Sequence, residues 1–165
     1  MRDRKPRLQL ALAVVGMVAF CLFARSWRDV PHLIYDIPAS LAVFAFVAQL
    51  LLEWLKDGPH RYWWARFGML AAMTIVTVGR EFGHWNISGH LSCVFAVALV
   101  QSTDRRLSLA ERICYWIPLP IVLVIRWFLF DQGNHWQTCN AVIFALLAPL
   151  PAMFIARAGR TADAP

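Results

Sequence analysis

The residues best able to do chemistry in this chain are its histidines, because an apolar sequence has little other use for an imidazole. There are five: His32, His60, His84, His90 and His135. Two short polar segments hold three of them. The first runs Gly79-Arg80-Glu81-Phe82-Gly83-His84-Trp85-Asn86-Ile87-Ser88-Gly89-His90, and the second runs Asp131-Gln132-Gly133-Asn134-His135-Trp136. Each leads into an apolar run. Asn86 or Ser88, and Asn134, are side chains that cap helix N-termini, so His90 and His135 are expected in the first turns of two helices. A helix start offers free N–H groups and the positive end of the dipole, which together attract an anion. Arg80 and Arg126 would add charge to that site. Two imidazoles facing a phosphate can divide the work of phosphoryl transfer, one attacking phosphorus and one protonating the leaving oxygen. The plainer alternative is that both histidines only cap helices and hydrogen-bond at a membrane boundary.

The elements that must position these residues follow from composition. The chain has 165 residues, 59% hydrophobic and 16% charged, against about 25% charged in a soluble domain. Disorder is excluded, and an ordinary soluble enzyme is a poor fit. Apolar residues fall into six blocks, at 8–24, 37–55, 63–79, 87–101, 113–130 and 136–156. The reading is an all-α polytopic membrane bundle of six transmembrane helices, one integral domain over 1–165. Short connections predict antiparallel neighbours. Pro38 stands at the start of the second block, and Pro118, Pro120, Pro149 and Pro151 predict kinks inside the last two.

Charge sets the expected orientation. Twelve of the 16 Lys and Arg residues flank one side: Arg2, Arg4, Lys5, Arg7, Lys56, Arg61, Arg66, Arg105, Arg106, Arg112, Arg157 and Arg160. Arg25, Arg28, Arg80 and Arg126 flank the other. The positive-inside rule then puts both termini in the cytoplasm of an inner-membrane protein, with the basic excess directed to lipid and topology rather than to nucleic acid. His32, His84, His90 and His135 share the outer side with Asp29, Asp36, Glu81 and Asp131. The first block is read as a retained span, since no small-x-small cleavage site follows Ala24. Cys21, Cys93, Cys114 and Cys139 show no CxxC or disulfide spacing and are expected as buried small residues. Asp36 reads as a polar helix-start residue, Glu53 as the partner of Lys56 at a helix end, and His60 as a loop residue.

With Ser88-Gly89-His90 at the start of the fourth block and His135 before the sixth, 45 residues on, the chain resembles the type 2 phosphatidic acid phosphatase superfamily of lipid phosphatases. Those proteins have six helices and three motifs: a Lys with a later Arg-Pro, then Pro-Ser-Gly-His, then Ser-Arg followed after five residues by His and after three more by Asp. The resemblance implies His135 as nucleophile and His90 as the acid. Ser88, Gly89, Arg80 and Arg126 would hold the phosphate of a lipid or isoprenoid carrier, and no cofactor is needed. This chain has Ile87 for the motif's Pro, Leu129 where its Arg would fall and Cys139 where its Asp would fall, and no Lys with a later Arg-Pro precedes Ser88.

Two other readings stay open. Glu81-x-x-His84 places a carboxylate and an imidazole on one helical face, and with His90 and His135 it would make an N/O metal site. Alternatively the architecture serves as a scaffold without chemistry, in which case Arg80 and Arg126 only reach headgroup phosphates.

Overall fold

The computed structural model describes residues 4–23, 30–83, 88–104, 106–130 and 135–162, with side chains for all of these except 4–6, 31, 80–83, 129, 130, 135 and 157–162. All the regular structure among the described residues is helical. The helices are α1 (Arg4–Phe23), α2 (Val30–Asp57), α3 (Arg61–Gly83), α4 (Gly89–Thr103), α5 (Leu109–Trp116), α6 (Pro118–Ile125), α7 (His135–Leu147) and α8 (Leu150–Ala162). A π-helical turn, Arg126–Phe130, extends α6. Each apolar block therefore lies in a helical rod, the fifth built from α5, α6 and the π turn and the sixth from α7 and α8.

The breaks have local causes. Pro118 and Pro149 interrupt the fifth and sixth rods, because proline removes a backbone donor and clashes with the preceding turn. Pro38 behaves differently from expectation. It sits inside α2, which begins at Val30, since the polar residues before it continue the helix rather than start it. α5 has only eight residues and is held by a capping box. Ser108 accepts from the Glu111 backbone N–H, and the Glu111 carboxylate accepts from the Ser108 backbone N–H.

Cross-helix contacts give the packing. Gln9 of α1 donates to the Ala45 carbonyl of α2 at 3.1 Å, while Phe20 near the other end of α1 meets His90 of α4. α1 thus runs antiparallel to α2, and α2 parallel to α4. Gly16 allows the close approach of α1 and α2, since a Cβ there would lie 2.5 Å from the Phe44 ring. The α4 helix is central: Leu91, Val94, Ala96, Val97, Ala98 and Val100 are all fully buried. A helix apolar on every face belongs in the middle of its neighbours. One core cluster joins Phe46, Leu50, Trp63, Met69, Met73, Val97 and Val100, and a second joins Tyr35, Ala39, Leu91, Val94, Val122 and Ala141.

Two stretches are long and apolar enough to cross a membrane, His32–Asp57 and Trp136–Ala156. Among the described residues the other helices, the 23-residue α3 included, do not combine the length and the mean hydropathy a span needs. At 1.5 Å per residue α4 extends only about 22 Å, against a hydrocarbon core of about 30 Å.

Candidate active site at the start of the central helix

Helices α2, α4 and α7 and the π turn that extends α6 bring the site together. Ser88 is the N-cap of α4, with φ −80° and ψ 107°, so His90 is the second residue of the helix, in its first turn as the sequence predicts. The backbone N–H of Ser88 donates to the Gln137 carbonyl at 3.4 Å. That bond joins the starts of α4 and α7, and α7 begins at His135. The backbone positions of the two histidines therefore belong to adjoining helix ends. The His135 side chain lies outside the described ones.

His90 is held from several directions. Its Nε2 lies 2.8 Å from Asp36 Oδ1, but off the direction a hydrogen bond requires, and both ring nitrogens are covered and make no aligned hydrogen bond among the described residues. The Tyr35 ring packs 4.6 Å from the imidazole centroid to centroid, and Phe20 meets it edge-on at 6.4 Å. Residues 35 and 36 are about 100° apart around α2, which lets one pack against the ring while the other reaches its edge. Asp36 is thus a buried residue within α2, not the helix-start residue its sequence position suggests. Burying a carboxylate is costly unless it is paired, and the His90 imidazole is one group that faces it.

Ser88 is fully buried, and its Oγ lies 3.2 Å from the Tyr35 hydroxyl. It makes no side-chain cap bond. A Cβ on Gly89 would come within 3.3 Å of Thr77 Oγ1, so this glycine lets α4 approach α3 closely. Arg126, in the π turn, is buried: Nε donates to Thr138 Oγ1 at 3.1 Å and a terminal nitrogen donates to Gln137 Oε1 at 2.7 Å. The chain of contacts Asp36–His90–Tyr35–Ser88–Gln137–Arg126 is continuous. The side chains of Arg80 and Glu81, and all of His84 and Asp131, lie outside the described residues. Among the described residues no three metal-ligating groups come together. Of the cysteines, all free, Cys21 is buried while Cys114 and Cys139 are exposed. Exposure of those two corrects the expectation of burial, because the fifth and sixth rods turn these positions outward.

A second polar cluster lies at the opposite end of α2 and α4. Arg66 is completely buried, although its place in the sequence suggests an exposed flank. It makes a two-pronged ion pair with Glu53 and lies 3.5 Å from Asp104. Arg106 holds Asp104 at 2.6 Å and Glu53 at 3.1 Å. The Arg66 guanidinium lies 4.4 Å from the Tyr62 ring centre. Gln49 donates to Glu53 at 3.0 Å, and Gln101 donates to Gln49. Glu53 is therefore not paired with Lys56, which contacts Asp57 instead. Burial works to raise the Asp104 carboxyl, but the hydrogen bonds and charge of Arg106, with Arg66 behind it, outweigh burial and leave it below the ordinary carboxylate value. The Asp104 hydrogen bond likewise raises Arg106. The signal for this cluster was available as Glu53 and Arg66 lying within apolar blocks.

No family model, curated protein or solved structure matches the chain.

Proposed function

We propose that the protein is a multi-pass inner-membrane phosphatase or phosphotransferase, acting at the outer face on the phosphate of a lipid or isoprenoid carrier. In this reading all six rods cross the bilayer, both termini are cytoplasmic and the His90 end faces outward. Exposed apolar side chains support membrane immersion, among them Val15 and Leu22 of α1, Ile75 of α3, Val124 of α6, Ile143 of α7 and Phe154 of α8. A belt of that kind is too extensive for an aqueous surface. The short α4 is enclosed by other helices and need not match the lipid thickness by itself.

The observation that carries the chemistry is the Ser88–Gln137 backbone bond, because it unites two histidine-bearing helix starts beside a buried arginine. His135 would donate a ring-nitrogen lone pair to phosphorus as the phosphorus–oxygen bond to the carrier breaks. The leaving oxygen keeps the electron pair of the broken phosphorus–oxygen bond and takes a proton from His90. Water then attacks the phosphohistidine and gives a proton back to His90, while the nitrogen–phosphorus bond breaks and inorganic phosphate leaves. Arg126, and Arg80 from the end of α3, would bind phosphate oxygens. The resemblance to lipid phosphatases enters as part of this reading. Trapping with radiolabelled polyprenyl phosphate tests it: an acid-labile, alkali-stable phosphoprotein is expected from wild type and none from His135→Gln. No trapped phosphate, with substrate still turned over, would contradict the histidine nucleophile.

One observation favours a second reading, a membrane scaffold without turnover. Both His90 nitrogens are covered, and Arg126 already hydrogen-bonds Gln137 and Thr138. A scaffold would release no phosphate from any substrate and would tolerate loss of both histidines while remaining folded.

A further inference from the structure

Asp36 had no part in the chemistry read from the sequence, yet its carboxylate is the acidic group in contact with His90. We infer that Asp36 is a positioning residue that holds His90 through Nε2, so that Nδ1 is the nitrogen through which His90 exchanges protons. This inference rests on the phosphotransfer reading for its catalytic consequence, but its structural claim stands on the contacts alone.

Three observations converge. The Nε2–Oδ1 separation is 2.8 Å, short enough for an ionic contact. The Tyr35 and Phe20 rings confine the imidazole, so the ring cannot exchange its two nitrogens freely. Nδ1 is buried and has no hydrogen-bond partner among the described residues, which is an expensive state for a polar atom unless something else uses it. The off-line approach of Oδ1 to Nε2 suits a resting site, since catalytic hydrogen bonds often align only when substrate is bound. Tyr35 in turn is tied to Ser88 at the N-cap of α4, so α2 fixes both the ring and the backbone that carries it.

The proton balance follows. With Nε2–H retained on the Asp36 side, the doubly protonated ring gives its Nδ1 proton to the leaving oxygen and becomes the neutral Nε2–H tautomer. In the second half-reaction Nδ1 takes a proton from the attacking water and the ring is restored. The carboxylate stays ionised throughout and offsets the positive charge that the ring carries, the role a buried aspartate plays for a catalytic imidazole. Substrate must uncover Nδ1, so arrival of the phosphate and exposure of that atom are coupled.

Tautomer analysis by NMR of isotope-labelled histidine tests the inference in the full-length protein in detergent, with His90→Gln identifying the resonances. The neutral His90 ring of wild type should carry its proton on Nε2, and Asp36→Asn should shift that preference. With turnover measured on a polyprenyl phosphate, Asp36→Asn should lower kcat by about 10-fold or more and change KM by less than about twofold. Asp36→Glu should recover part of the rate. A wild-type ring protonated on Nδ1, or an Asp36→Asn protein with unchanged tautomer and kcat, would overturn the assignment. Wild-type protein that shows the Nε2–H tautomer but turns nothing over would overturn the phosphotransfer reading and leave Asp36 as the residue that positions His90.

Discussion

Arg66 is the single side chain on which the most buried charge depends. Removing its guanidinium leaves Glu53 and Asp104 with Arg106 as their one remaining described basic partner, and Arg106 is partly exposed. Breaking a buried ion pair from one side costs about 3–5 kcal/mol, so Arg66→Met should lower the Tm in detergent markedly. Lys56→Ala should stay within about 0.5 kcal/mol of wild type, because its Asp57 partner is exposed. An equal loss in both variants would mean that Glu53 is served by Lys56 after all. The same cluster predicts an acid limit. Asp104 titrates below its ordinary value in the folded protein, so its contribution is fully present above the unfolded carboxylate value of about 4 and is lost as pH falls through the lower folded value. Tm should therefore be insensitive to this group between neutrality and about pH 5 and fall below about pH 4. The drop should be smaller in Asp104→Asn. These partnerships were not legible in the sequence. Spacing reveals neighbours three or four residues apart on one helix, as with Glu53 and Lys56, whereas the partner across a helix interface depends on how helices pack.

At the scale of elements the sequence was more informative. Apolar blocks marked six rods, proline marked the breaks at Pro118 and Pro149, and Ser88, one of two cap candidates with Asn86, stands at the N-cap position with His90 just after it, although its side chain makes no cap bond. Pro38 and Asp36 were misplaced for one shared reason: polar residues near a membrane boundary look like loop, while here they are the first turns of a longer α2. The site was half legible. Histidine spacing singled out the adjoining starts of α4 and α7, but Tyr35 and Asp36 reach His90 from a helix that shares no motif with it. α5 offers a clean test of local structure. It has eight residues and a complete capping box, so Ser108→Ala should cost about 1 kcal/mol, measured by thermal unfolding. It should also speed amide exchange in the first turn of α5. No change in either would mean that packing against α4 and α6, rather than the cap, holds this helix.

For the whole molecule, the six rods alternate in direction along the chain: cross-helix contacts fix α1 to α4, while Trp116 meeting Ser102, Arg126 meeting Gln137 and Gln137 meeting Ser88 fix the last two rods. In the proposed reading every rod crosses the bilayer, and an even number of crossings returns the C-terminus to the side of the N-terminus. Reporter fusions after residue 165 should read as cytoplasmic, and fusions placed between α1 and α2 as external. The reverse pattern would put the Arg66 cluster, rather than His90, at the outer face. In that reading the exposed apolar side chains and the enclosed α4 are two consequences of one arrangement: lipid-facing rods surround a short central helix whose start presents the site. Phosphate release from a panel of phospholipid and polyprenyl phosphates bears most directly on that site. Purified wild type, His135→Ala and an EDTA-treated sample would be compared. The account predicts release that survives EDTA and vanishes in His135→Ala, whereas release that EDTA abolishes, or that persists without His135, would contradict it.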